Sequence, residues 1–121
     1  MKTYSFEKLI VWQKSRELSI SIYKITKFFP KEELFGLTSQ MRRCSISISS
    51  NIAEGTGRHS AKDKARFTEI AYGSSLELLN QLIISNDLEF ITKEYYLETR
   101  SKIDEINAML DALYKSQLKN V

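Results

Sequence analysis

The chain has 121 residues, 42% of them hydrophobic and 27% charged, which is the composition of a single globular domain. Its four glycines and one proline are too few turn-forming residues for a β-rich fold of this length, so the composition argues against a many-stranded sheet. The net charge of +3 is divided unevenly: residues 1–66 hold 13 Lys and Arg against 6 Asp and Glu, whereas residues 67–121 hold 5 against 9.

The sequence also indicates the cellular compartment in which the protein is found. No apolar run approaches the roughly 20 residues that a membrane-spanning helix needs, and the first residues lack the apolar core of a signal peptide. Cys44 is the single cysteine, whereas small secreted domains usually carry paired cysteines. The sequence therefore predicts a cytoplasmic protein with no membrane partner.

Apolar and small residues recur at spacings of three and four along most of the chain, which is typical of helices packed side by side. The predicted stripe of the first helix is Val11, Ser15, Leu18, Ile22, Ile25 and Phe29, and that of the second is Leu37, Met41, Cys44, Ile48 and Ile52. The predicted helices span residues of about 8–28, 38–54, 60–86 and 92–118. Pro30 disfavours helical backbone at the residue before it and so ends the first helix, with one further helical turn expected at 31–34. Four long helices with short connections predict an all-α fold, an antiparallel up-down-up-down four-helix bundle.

The second helix needs its own argument. Residues 45–49 alternate with a period of two and could form a strand, but Met41 and Cys44 continue a helical stripe into Ile48 and no partner strand exists elsewhere. Two glycines in the next turn, at 55 and 57, are predicted to end this helix. Its serines, Ser45 and Ser49, predict a close approach to another helix.

The third and fourth helices begin at recognisable caps. Ser60, followed three residues later by Asp63, resembles a capping box, and Thr92 precedes the fourth helix. The predicted inward stripe of the third helix is Phe67, Ile70, Ser74, Glu77 or Leu78, and Leu82. The predicted stripe of the fourth helix is Tyr96, Thr99, Ile103, Ile106, Leu110, Leu113 and Gln117.

Several motifs in order and at fixed spacing make the chain resemble a known family. They are Leu9-x-Val11-Trp12-Gln13, Phe29-Pro30-x-x-Glu33-x-x-Gly36-Leu37-Thr38-x-Gln40-x-Arg42-Arg43, Ser47-x-x-x-Asn51-Ile52-Ala53-Glu54-Gly55 and Arg66-Phe67-x-x-x-Ala71-x-Gly73-Ser74-x-x-Glu77. Over residues 6–114 the chain resembles the small proteins encoded within intervening sequences of bacterial 23S ribosomal RNA genes. That family commonly has proline where this chain has Ser49, so a kink at this point is not carried over.

The resemblance has implications for assembly and partners. It implies a four-helix bundle that forms ring-shaped homo-oligomers, with pentamers suggested. Some members resemble the accessory protein of diversity-generating retroelements, which works with a reverse transcriptase and nucleic acid. The family has no established enzymatic activity, so the resemblance implies a fold more firmly than a function.

Residues that could support catalysis are few. His59 is the only histidine and cannot form a metal site alone, while Cys44 lies on an apolar stripe and is expected in the core. The segment 55–58, Gly-Thr-Gly-Arg, lacks the Gly-Lys-Ser/Thr ending and the preceding strand of a phosphate-binding loop. No catalytic residue, metal or cofactor is therefore expected.

A cluster of cations spans the second connection and the start of the third helix. The positive end of the helix macrodipole repels cations placed at the N-terminus, which costs about 0.3–1 kcal/mol for each cation. A phosphate bound there is stabilised by both the cations and the helix. The up-down topology adds the end of the fourth helix to the same end of the bundle. The predicted nucleic-acid-binding residues are Arg58, Lys62, Lys64, Arg66, Lys115 and Lys119. The alternative is a solvated charged end without a partner.

A second candidate set is polar or aromatic and matches the family motifs. The predicted structural or interface residues are Trp12, Gln40, Arg42, Arg43, Asn51 and Glu54. A network within the protein or with a neighbouring subunit is one interpretation, and direct RNA contact by Arg42 or Arg43 is the other. Trp12 is expected either at a subunit interface or in the monomer core. Base stacking by the aromatic residues, which include Tyr23 and Tyr72, would require their exposure.

Two functional hypotheses follow. The first is a non-catalytic, homo-oligomeric bundle that binds the backbone of RNA or DNA through its basic end without reading the base sequence. The second is a protein-interaction scaffold that docks a partner enzyme such as a reverse transcriptase, which the resemblance suggests.

Overall fold

A computed structural model describes residues 1–119 and places them in four antiparallel helices. The helices are α1 Ile10–Thr26, α2 Leu37–Thr56, α3 Ala61–Asp87 and α4 Lys93–Leu118. Short 3-10 helices at Ser5–Lys8 and Lys31–Glu33 precede α1 and α2. Each long helix packs against the next along the chain, and α1 also packs against α4, whereas the diagonal pairs make no close backbone contact. The predicted all-α, up-down-up-down bundle is confirmed.

The first helix is shorter than predicted, and the backbone explains why. Leu9 is extended, with φ −75° and ψ 126°, and so separates α1 from the preceding 3-10 helix. At the other end, the amides of Phe28 and Phe29 donate to carbonyls only three residues back, so the α-helical pattern stops at Thr26. All four helices begin and end within two residues of their predicted bounds, and the short helix before α2 was also predicted.

Side-chain and backbone caps fix the ends of the last two helices. The Ser60 hydroxyl accepts the Asp63 amide at 3.1 Å, and the Thr92 hydroxyl accepts the Tyr95 amide at 3.0 Å, so both predicted N-caps are confirmed. At the end of α3, the amide of Phe90 donates to a carbonyl five residues back, across Glu89 with φ 62°. This is the Schellman arrangement, in which the left-handed residue is usually glycine.

Gly55 does not end α2, and this prediction was wrong. The helix continues through Gly55, which is buried, to Thr56, and Gly57 forms its C-cap with helical backbone angles. A methyl group on Gly55 would lie 2.9 Å from the Cβ atom of Phe67 on α3. Glycine is therefore needed at this position for close packing of α2 against α3, not for a left-handed turn.

The core is built from one stripe of each helix, and three of the four stripes are those predicted. The first half of the α3 stripe is displaced by one residue, because Ile70 is 40% exposed whereas Ala71 and Ser75 are fully buried; Leu78 and Leu82 are buried as predicted. The side chains that are large and fully buried are Leu18, Ile22, Met41, Ile48, Leu78, Leu82, Ile103, Ile106 and Leu110. None of the helices within residues 1–119 combines the length and the apolar character needed to span a membrane.

Small residues bring the helices close together. Ser45 is fully buried, and its carbonyl accepts the Ser19 hydroxyl of α1 at 2.9 Å, as expected for a tight α1–α2 contact. Ser47 of α2 and Ser74 of α3 form a hydroxyl pair at 2.8 Å. Ser49, in contrast, bonds the Ile46 carbonyl of its own helix, and α2 continues through it without interruption.

Candidate nucleic-acid interface

Antiparallel packing brings the start of α1, the α2–α3 connection and the end of α4 to one end of the bundle. The Thr68 hydroxyl donates to the Gln117 side chain at 2.7 Å, so the beginning of α3 lies beside the end of α4. On the other side, Lys14 of α1 pairs with Glu105 of α4 at 2.6 Å. This end, here called the basic end, contains all six predicted nucleic-acid-binding residues: Arg58, Lys62, Lys64, Arg66, Lys115 and Lys119.

Two arginines of the basic end flank the ring of Phe67. The guanidinium carbon of Arg58 lies 4.4 Å from the ring centroid and that of Arg66 lies 5.8 Å from it. Arg58 also pairs with Glu54 at 3.6 Å, one helical turn away. The cation–π contacts hold both guanidinium groups near one point of the surface, where each keeps donors for a further partner.

The two lysines at the start of α3 are not neutralised. Lys62 and Lys64 have no ion-pair partner within residues 1–119, and Lys62 is exposed while Lys64 is half-buried. They follow the cap residue Ser60, where the first amides of the helix point outward and add partial positive charge. The start of α3 therefore combines mobile ammonium groups with a helix N-terminus, a combination suited to an anion.

The positive charge that α4 adds to the basic end is partly neutralised by an acid of the same helix. Lys115 pairs with Asp111 at 2.9 Å, and the hydrogen bond and charge of Asp111 raise the pKa of Lys115. Lys119 is exposed at the C-cap of α4 and has no ion pair among the described residues. Exposed pairs of this kind are weak, so Lys115 can exchange Asp111 for a phosphate at little cost.

Arg42 of the predicted interface set links α2 to α1. Its Nε atom donates to the Thr26 hydroxyl at 2.9 Å, one terminal nitrogen donates to the Tyr23 carbonyl at 3.3 Å, and its guanidinium lies 4.8 Å from the Tyr23 ring centroid. These contacts match the interpretation of Arg42 as part of a network within the subunit. Arg43 and Gln40, in contrast, are exposed and have no side-chain partner in the described part of the chain.

The other members of the set form local contacts. Asn51 donates to the Ser47 carbonyl at 2.8 Å and to its hydroxyl at 3.0 Å, next to the serine pair between α2 and α3. Glu54 pairs with Arg58 at the basic end and not with Arg43. Trp12 is half-buried and meets the edge of Phe6 at 5.0 Å, so it packs against the N-terminal 3-10 helix.

An apolar groove between α1 and α2 was not predicted from the sequence. It encloses about 600 Å³ and is lined by Tyr23, Leu34, Phe35, Thr38, Ser39, Arg42, Arg43 and Ile46. Phe35 is 92% exposed, and Phe28, outside the groove, is 82% exposed. Phe35 stands beside other apolar side chains of the groove and so marks a contact surface, whereas an exposed ring outside this groove does not by itself mark one. The signal available in the sequence was that neither phenylalanine belongs to a helical stripe.

A buried polar group joins α2 to α3 away from the basic end. The Cys44 thiol donates to the Glu77 carboxylate at 2.9 Å, and the Gln81 amide lies 3.5 Å from the same sulfur. Burial and the hydrogen bond to Glu77 raise the pKa of the Cys44 thiol to about 11. Within residues 1–119 no three His, Cys, Asp or Glu side chains group so as to hold a metal ion. The absence of enzymatic activity stays a prediction.

Comparison with known proteins extends over most of the chain. The family described as "23S rRNA-intervening sequence protein" matches residues 7–112, from the N-terminal 3-10 helix into α4. A solved structure from Bacteroides thetaiotaomicron VPI-5482, a protein of unknown function from the S23 ribosomal protein family, is similar with 30% sequence identity and a TM-score of 0.81. The similarity covers 88% of this chain and 96% of that one. No curated protein matches the chain.

Proposed function

The chain belongs to the family of 23S rRNA-intervening sequence proteins, and on that premise we propose that it is a non-catalytic, homo-oligomeric bundle that binds the backbone of RNA or DNA through its basic end. The proposal keeps the cytoplasmic location expected from the single cysteine and assigns no cofactor. Binding is directed at phosphates, so it discriminates little between base sequences.

One observation carries the proposal: the basic end has cations that its acids do not neutralise. Of the acids at this end, Glu54 and Asp111 form ion pairs, each with one cation. Lys62, Lys64 and Arg66 form no ion pair among the described residues and surround the N-terminus of α3. When a nucleic-acid backbone binds such a surface, its condensed counterions are released into solution, and this favours binding; a single small anion has no such counterion layer to release.

Assembly would multiply this surface, and the α1–α2 groove supports assembly with a second copy. The proposed occupant of the groove is the outer side of α3 of another subunit, where Leu76 is 46% and Ile84 is 40% exposed. This contact joins two different surfaces, and a contact of that kind forms a ring when its rotation closes; in such a ring every basic end faces the same way.

Charge complementarity is the reason for choosing a second copy as occupant. Residues 10–56, which include α1 and α2, hold 7 Lys and Arg against 4 acids, whereas residues 61–118, which include α3 and α4, hold 7 against 10. The groove carries Arg43, which is exposed and has no ion pair within residues 1–119, and the outer side of α3 carries Asp87. Opposite charge on the two halves favours association of α1–α2 with α3–α4 of a neighbour.

The binding proposal is tested by titrating the purified protein against a structured RNA and a duplex DNA at 50 and 200 mM salt. We expect binding to both, with an affinity that falls steeply as salt increases, by roughly 0.7–0.9 logarithmic units per phosphate contact per tenfold change in salt. Absence of binding to either nucleic acid at the lower salt, by a protein shown to be oligomeric, would contradict the proposal.

The assembly proposal is tested by measuring molar mass in solution for two matched variants. Phe35→Ser removes an exposed ring from the groove, whereas Phe28→Ser removes an equally exposed ring outside it. The groove variant is expected to dissociate at micromolar concentration while the control keeps the mass of the unchanged protein. Equal masses for both variants would mean that the groove is not the interface.

The second candidate function, a scaffold for a partner enzyme, uses the same groove. Its specific support is the nearly complete exposure of Phe35, which any partner with an apolar contact surface could cover. A monomeric protein that binds no nucleic acid would favour this function over the first. The enzyme would then be identified by its loss of binding to Phe35→Ser but not to Phe28→Ser.

A further inference from the structure

A small cleft opens between α3 and α4 beside the basic end. It is lined by Thr68, Glu69, Tyr72, Leu110, Asp111 and Tyr114 and has a volume of about 170 Å³. Sites for whole drug-sized ligands have volumes of roughly 300–1,000 Å³, so this cleft is suited to a flat group the size of one heterocycle.

The walls of the cleft are aromatic and its floor is apolar. Leu110 is fully buried, whereas Tyr72 and Tyr114 are half-buried and present part of their rings to the opening. Neither phenol hydroxyl makes a hydrogen bond to another described residue. Partly exposed tyrosine rings next to a cationic surface are the usual elements with which proteins stack single-stranded bases.

Polar groups at the rim of the cleft can orient a bound group. Glu69 is exposed and has no partner within residues 1–119, so its carboxylate is available as an acceptor. Asp111 is already paired with Lys115 at 2.9 Å, which places an ammonium group at the edge of the cleft. The rim therefore offers one free acceptor for an N–H group and one cation for a phosphate.

We propose that this cleft receives one unpaired nucleobase of a strand whose phosphates lie on the basic end. The base stacks on Tyr72 and Tyr114. Glu69 accepts a hydrogen bond from its exocyclic amino group, and Lys115 contacts the adjoining phosphate. Adenine, cytosine and guanine carry such an amino group, whereas uracil and thymine do not. The inference rests on the proposed function and adds to it a preference for unpaired strands.

The first test compares an unstructured RNA of 12 nucleotides with a blunt RNA duplex of six base pairs, which has the same number of nucleotides and none unpaired, each labelled with fluorescein. The protein is expected to bind the unpaired strand roughly tenfold more tightly, as one stacked base allows. Changing Tyr72→Leu and Tyr114→Leu together, which keeps apolar side chains at both positions, should remove this preference without altering duplex affinity. Tyr95→Leu, which changes a half-buried tyrosine on another part of α4, should keep the preference.

Binding of the two RNAs distinguishes failure of the cleft proposal from failure of the proposed function. Equal binding of both RNAs by the unchanged protein, or a preference that survives in the double variant, would overturn the cleft proposal and leave backbone binding intact. Failure of both RNAs to bind at low salt would contradict both proposals.

A second test addresses the base itself with 12-nucleotide strands of cytidine or uridine alone. The cytidine strand is expected to bind several-fold more tightly, and Glu69→Gln should reduce that ratio because an amide oxygen accepts more weakly than a carboxylate. A ratio unchanged by Glu69→Gln would show that Glu69 does not contact the base.

Discussion

Gly55 of α2 lies against Phe67 of α3 so closely that a Cβ atom on the glycine would be 2.9 Å from the Cβ atom of the phenylalanine. Because this second atom is fixed to the backbone, the two helices would have to separate. The contact also positions the ring that Arg58 and Arg66 flank. The spacing of α2 and α3 thus determines where two cations of the basic end are held.

The replacement Gly55→Ala is expected to lower the free energy of unfolding by about 1 kcal/mol. Overpacking costs about 1–3 kcal/mol, and the better helix propensity of alanine returns about 1 kcal/mol of it. The measurement is urea unfolding followed by the fluorescence of Trp12, at one fixed protein concentration.

Gly73→Ala is the matched control for this replacement. Gly73 is also inside a helix, but nothing lies within 4 Å of its would-be Cβ atom. This change should raise the free energy of unfolding by up to about 1 kcal/mol. Stabilisation by both replacements would show that the α2–α3 contact is looser than described.

Glu89→Gly is expected to stabilise the protein by about 0.5–1 kcal/mol. Glu89 has φ 62°, a backbone conformation in which a side chain with a Cβ atom is strained and glycine is not. The Schellman hydrogen bonds around it do not depend on its side chain. Thermal unfolding measures the change, and a lower midpoint for Glu89→Gly than for the unchanged protein would contradict the left-handed conformation.

The register of α3 is tested by two alanine replacements. Leu78→Ala should cost about 2–5 kcal/mol because this side chain is fully buried, whereas Ile70→Ala should change stability by less than about 0.5 kcal/mol. Both are measured at low protein concentration, so that assembly does not contribute. A loss for Ile70→Ala as large as that for Leu78→Ala would mean that Ile70 is buried, as the sequence predicted.

The Cys44 thiol predicts a dependence of stability on alkaline pH. Its pKa is raised to about 11 in the folded protein from a model-compound value of 9.0, so the folded state holds this proton more tightly than the unfolded state. Its contribution is fully present below pH 9 and is lost as pH rises through 9 towards 11.

Comparison with Cys44→Ala isolates that contribution, because the other alkaline groups titrate in both proteins. The difference in free energy of unfolding between the two proteins should be constant at pH 7–8 and shrink between pH 9 and 11. A difference that grows with pH would show that the folded thiol ionises more readily than the unfolded one.

The fold was predictable where hydrophobic residues mark the buried stripe. In α1, α2 and α4, large aliphatic residues such as Leu18, Ile48 and Ile106 recur on one face, and the sequence locates that face correctly. In α3 the buried stripe contains Ala71 and Ser75, which carry little hydrophobic signal, while Ile70 is exposed. The predicted stripe therefore included the larger side chain, Ile70, which gave the wrong register in the first half of α3.

The candidate site was predictable only at the level of topology. Knowing the helix order was enough to bring Lys62 and Lys115 to the same end, since antiparallel helices alternate direction. The sequence could not show that Arg42 is held by α1 or that Phe35 is exposed, because both depend on how α1 and α2 pack. The cleft of Tyr72 and Tyr114 likewise requires the register between α3 and α4.

The most direct test of the account reverses three charges at the start of α3, with Lys62→Glu, Lys64→Glu and Arg66→Glu combined. Lys62→Glu and Lys64→Glu place acids in the first turn of α3, where each favours the helix dipole by about 0.3–1 kcal/mol; this offsets the lost contact of Arg66 with Phe67, so the variant should stay folded. The control reverses three cations of α4 away from this end, with Lys93→Glu, Arg100→Glu and Lys102→Glu combined, and leaves the charge of α1 and α2 unchanged.

The measurement is the affinity for one duplex DNA at several salt concentrations. The account predicts that the α3 variant, while folded, binds far more weakly and that its salt slope falls by about 2.7 logarithmic units per protomer engaged, at roughly 0.9 per lost contact, whereas the control retains the slope. An unchanged slope in a folded α3 variant would contradict the account.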